Sequence, residues 1–154
     1  MNFLYILKNN LSPLIERILK TTSATPKFVS TLFAHSLKRI EGKYEKLPEF
    51  SYVKVLELLE FLTARKLDLA IAKRMLEELY QYPKMDPESI LVSIGFKEIP
   101  QAEIEGKLPF LIKKYQQIRI SKDDNAGKRW IMGNLSKIAL GNVNLSELSE
   151  KIVF

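Results

Sequence analysis

A chain of 154 residues with 46% hydrophobic content can bury a core of its own, and the absence of cysteine excludes disulfides, thiolate metal sites and cysteine nucleophiles. Its 24 lysines and arginines against 18 acidic residues leave a net charge of +6, a balance that attracts polyanions. The low hydrophobicity that marks disordered chains is absent, and the opening apolar run Phe3 to Leu7 is too short for a signal or membrane-spanning segment, so a cytoplasmic protein without a membrane partner is expected.

Three pairs punctuate the first two thirds of the chain: Ser12-Pro13, Thr25-Pro26 and Asp86-Pro87. Each sets a capping oxygen before a proline suited to the first helical position. After Thr25, the residues Phe28, Val29, Leu32, Phe33, Leu37 and Ile40 follow helical spacing, with Gly42 placed to end the helix in a left-handed cap. Ser51 opens a second pattern with Val55, Leu58, Leu59 and Leu62 on one stripe, and Asp68 opens a third with Ile71, Met75, Leu76 and Leu79. A short helix is predicted from Pro87 to about Ile94, stopped by Gly95.

Ile99-Pro100 begins a new segment and divides the chain into a helical connector, 1–98, and a C-terminal three-helix unit, 99–154. The spacing predicts helices over about 101–118, 125–140 and 145 to the end, with a kink or restart at Gly106 and Pro109 and with Asn144 capping the last. No stretch alternates as a strand would, so the fold class is all-α. Positive charge concentrates in the second unit: Lys107 to Leu140 holds eight basic residues against Asp123 and Asp124. Lys113, Lys114, Arg119, Lys122, Lys128, Arg129 and Lys137 are the candidate nucleic-acid contacts, focused on the connection between Ile118 and Arg129, because phosphate binding requires cationic heads and little fixed motif.

The stretch AGKRWIMGNLSKIALGNVNLSELSEKI, Ala126 to Ile152, resembles the closing signature of the GatB/YqeY tail-domain family of tRNA-dependent amidotransferases. Met132-Gly133 stands where that family has a Met-Gly pair in mid-helix, and Gly141 and Asn144 stand at its glycine turn and at the start of its last helix. Upstream, ATPKFVSTLFAHSLKRI and RKLDLAIAKRMLEEL are similar to helices of the preceding subdomain, so the likeness runs from about residue 11 onward. The family usually continues with Met-Lys where this chain has Leu135-Ser136, with Lys137 one position on, and with Gly-Lys where it has Gly141-Asn142.

The resemblance implies a tail, cut from a larger catalytic subunit, that grips the elbow of a tRNA while glutamyl-tRNA(Gln) is converted to glutaminyl-tRNA(Gln). It further implies other amidotransferase subunits as partners, ATP and magnesium only in the catalytic body, and no cofactor or catalytic site in this chain. The competing reading is a helical protein-interaction module, or a stand-alone relative without RNA binding.

The remaining chemistry-bearing residues read as structural. His35 is the single histidine, so neither a multi-histidine metal centre nor a serine triad can be assembled. The acids Glu57 and Glu60, Glu77 and Glu78, and Asp123 and Asp124 fit the wet faces of helices. Phe28, Phe33, Tyr52, Phe61 and Tyr80 are core candidates, and Trp130 is assigned to the core or an interface rather than to base stacking. Gly127-Lys128 lacks the spacing of a phosphate-cradling loop. Gly133, a glycine inside a helix, predicts a close crossing by another helix.

Overall fold

The computed structural model describes residues 3–118 and 123–154. Among them there is no strand, and the fold is all-α. The chain divides into two compact units, Met1–Gly95 and Phe96–Phe154. The division falls slightly upstream of Ile99-Pro100, because the side chain of Asn142 accepts from the Ile99 N–H at 2.9 Å and donates to the Lys97 carbonyl at 2.9 Å, tying that connecting segment to the second unit.

The first unit opens with α1 (Phe3–Lys8) and α2 (Ser12–Thr21). Ser12 already lies inside α2. The cap position falls to the buried Leu11, which makes no side-chain cap bond, so Ser12-Pro13 marks the helix start without capping it. Helix α3 (Pro26–Thr31) does begin as its sequence predicts, with the Thr25 hydroxyl accepting from the Phe28 N–H at 3.2 Å. It runs on through a π-helical segment (Leu32–Leu37), in which Leu32, Phe33, Ala34 and Leu37 are all buried, into α4 (Lys38–Lys43). Gly42 is not the predicted left-handed cap: helical pairing continues past it, and the chain leaves the helix through extended Tyr44.

Helix α5 (Val53–Ala64) buries Val55, Leu58, Leu59 and Leu62 as one stripe, and Tyr52, rather than Ser51, stands at its cap. Asp68 caps a 3-10 turn (Leu69–Ile71) through the Ala70 N–H, and α6 (Ala72–Gln81) follows, burying Met75, Leu76, Leu79 and Tyr80. Asp86 caps α7 (Pro87–Ser93), which Gly95 ends at φ +77°. Each large aliphatic side chain fully buried here contributes about 1.5–3 kcal/mol, so this stripe-on-stripe core is the main source of the unit's stability. Of the aromatic core candidates, Phe33 and Tyr80 are buried, whereas Phe28, Tyr52 and Phe61 stay half-exposed at the margin.

Polar ties sit at that margin too. Tyr5 donates to Glu41, Tyr52 lies 3.3 Å from the same carboxylate, and burial followed by these bonds holds the Tyr5 phenol far above the ordinary tyrosine range. Glu77 accepts from Lys43 at 3.0 Å and from the Tyr44 hydroxyl at 2.8 Å, linking α6 to the end of α4. It therefore does more than decorate a wet face.

The second unit contains α8 (Gln101–Glu105), α9 (Leu108–Ile118), α10 (Asp124–Ala139) and α11 (Leu145–Glu150). The predicted break at Gly106 is a full restart, and Pro109 occupies the second position of α9, where its missing N–H costs nothing. Ile104, Leu108 and Leu111 meet Ile131, Leu135 and Ala139 of α10, and Val143, Leu148 and Ile152 close the cluster. Gly141 turns the chain at φ +86°, and Asn144 caps α11 by accepting from the Glu147 N–H at 3.0 Å.

Candidate nucleic-acid interface

Helix α9 turns Leu108, Leu111 and Tyr115 inward at spacings of three and four, which leaves Lys113 and Lys114 exposed. Lys107, at the helix start, is exposed as well, and α9 itself contains no acidic residue. On α10 the inward residues are Ile131, Leu135 and Ala139, so Arg129, Gly133 and Lys137 run along one exposed stripe, each four residues from the next. Lys128 lies on the flank of the core side and is half-buried. Arg119 and Lys122 lie outside the described residues.

Both stripes point away from the core that α9 and α10 share, so the described cations line two helix faces, while most of the connection between Ile118 and Arg129 lies outside the described residues. Their electrostatic standing differs. Arg129 lies 3.8 Å from the Asp123 carboxylate, with the two side chains 71% and 54% exposed, and a pair so open to water is worth about 0–1 kcal/mol. Lys107, Lys113, Lys114 and Lys137 make no ion pair among the described residues. Four exposed ammonium groups are thus free to meet phosphates, at the small desolvation cost of heads already in water.

Trp130 is half-buried against the second unit's core, its ring 5.7 Å from that of Tyr115, which fits the core assignment. The Phe154 ring also meets Tyr115, tilted by 49° with centroids 5.5 Å apart. Gly127 lies under this cluster: a Cβ there would come within 2.4 Å of the Phe154 ring and 2.8 Å of the Tyr115 ring. Gly133, by contrast, is exposed, and nothing lies within 4 Å of where its Cβ would stand. The close approach expected at Gly133 therefore occurs at Gly127, one helical turn from the N-terminus of α10, where aromatic rings rather than another helix press on the backbone.

Asn142 ties the turn to the segment that opens the second unit. Its carboxamide holds Lys97, Ile99 and the Ile138 carbonyl together, a task for a side chain that both donates and accepts, which an ammonium cannot do. Among the described residues no group of three or more His, Asp or Glu side chains is placed to hold a metal ion, and no helix is long and apolar enough to cross a membrane.

One exposed aromatic escaped the reading of the sequence. Phe110 is 67% exposed, with the Lys114 ammonium 6.0 Å from its ring centroid. In LPFLI it passes for one more core residue, yet the spacing 108, 111, 115 already leaves position 110 on the outer face.

No protein-family model matches the chain, and no curated protein or solved structure gives a significant match.

Proposed function

We propose that the second unit binds RNA through the exposed cations of α9 and α10, and that the chain serves as the tRNA-gripping tail of a glutamyl-tRNA(Gln) amidotransferase. The observation that carries the first part is the outer face of α9, an acid-free helix on which Lys113 and Lys114, with Lys107 just before it, stand exposed and make no ion pair among the described residues. Such a surface neutralises phosphates and releases their counterions without reading base sequence. The amidotransferase assignment rests on the motif resemblance from Ala126 to Ile152, with the reaction itself belonging to a catalytic body outside these residues.

Binding to tRNA followed by anisotropy across a salt series tests the reading. Affinity is expected to fall steeply with salt, and Lys113→Glu/Lys114→Glu/Lys137→Glu is expected to lower the slope of log K against log salt by about 2–3, since each lost phosphate contact removes roughly 0.7–0.9. Absence of salt-sensitive binding by the parent chain at low ionic strength refutes it.

A second reading, docking to a protein subunit, draws on an open depression in the first unit lined by Leu47, Tyr82, Pro83 and Met85, with Leu47 and Tyr82 exposed. Pull-down with amidotransferase subunits, using Tyr82→Ser as the disrupting variant, separates it from RNA binding.

A further inference from the structure

We infer that Phe110 is a stacking platform for an unpaired base, so that the surface prefers RNA with splayed nucleotides over fully paired helices. This rests on the RNA-binding reading above and adds a specificity to it.

A single exposed apolar side chain is ordinary on a protein surface. What distinguishes Phe110 is its surround. On a helix the neighbours of a residue stand three and four positions away; within α9 those of Phe110 are Lys113 and Lys114, and Lys107 immediately precedes the helix. The Lys114 ammonium lies 6.0 Å from the ring centroid, and Lys113 and Lys107 are exposed nearby along the chain. The inward set of α9, Leu108, Leu111 and Tyr115, buries the opposite side of the helix, so Phe110 contributes nothing to the core of its own unit.

The charge pattern selects the occupant. Lysine is depleted at the centres of protein interfaces, where its desolvation is costly. A π-face bordered by several cations instead matches a nucleotide, whose base stacks while its phosphates, one on either side, meet the flanking ammonium groups. A paired helix cannot use the ring, because its base faces are stacked on one another and only edges, riboses and phosphates face outward.

Two labelled RNAs of equal length, a hairpin with a long unpaired loop and a fully paired duplex, are titrated with the full chain at fixed salt. Phe110→Ala is expected to weaken the hairpin about tenfold and the duplex less than twofold, and Phe110→Trp is expected to keep the hairpin affinity, with circular dichroism showing both variants helical. Unchanged hairpin binding in Phe110→Ala, as a ring reserved for protein docking would give, overturns the stacking role alone, and so does an equal loss on both probes. Failure of the parent chain to bind either probe in a salt-sensitive way overturns the RNA reading and this inference together.

Discussion

Glycine inside a helix costs about 1 kcal/mol relative to alanine, and α10 carries two of them for different reasons. At Gly127 the rings of Phe154 and Tyr115 occupy the space a methyl group would need. At Gly133 that space is open. Opposite signs follow for the same substitution: Gly133→Ala should stabilise the second unit by about 0.5–1 kcal/mol, and Gly127→Ala should destabilise it by about 1–3 kcal/mol through overpacking. Urea unfolding of the two variants decides this. The cost at Gly127 should shrink in a Phe154→Ala background, because the nearer of the two rings is then gone. A further tension is stored close by, since the Tyr115 hydroxyl is buried without a hydrogen-bond partner among the described residues. Tyr115→Phe is therefore expected to leave stability unchanged or raise it, because it removes a polar group that burial penalises.

The elements themselves follow local rules where those rules act alone. Thr25, Asp68, Asp86, Asp123 and Asn144 each cap the helix or turn that follows, as short polar side chains with a free oxygen do. Ser12 and Gly42 departed from the same rules. At Ser12 the corner between α1 and α2 buries Leu11, which moves the helix start one residue upstream; at Gly42 the ties from Glu41 to Tyr5 and from Lys43 to Glu77 carry the helix past a residue that could have ended it. Asn142 joins segments far apart in sequence. Asn142→Lys removes the acceptor for the Ile99 N–H and should cost about 1–2 kcal/mol, measurable as a lower urea midpoint with early loss of amide protection at Ile99.

At the scale of the whole molecule, three carboxyls among the described residues ionise more readily than usual. Glu77 is held below its ordinary value by the hydrogen bond from Lys43, Asp86 by the bond from the Ser89 hydroxyl, and Glu105 by the bond from Lys151. A carboxyl with a lowered folded value stabilises the fold above its unfolded value, and that contribution is lost as pH falls through the folded value. The urea midpoint should therefore hold from neutrality down to about pH 4.5 and decline below it, and Glu77→Gln should flatten part of the decline. Acidification also adds positive charge to a chain already at +6, which works in the same direction.

The sequence by itself determined the helical class, several helix starts and the buried stripes, because capping and 3.6-residue periodicity act over a few residues and need no distant partner. Only the tertiary structure decided which glycine is crowded, which described lysines make no ion pair, and that Asn142 clamps two distant segments. Those properties depend on what lies across the core or at the next turn, and a linear chain does not state its neighbours in space.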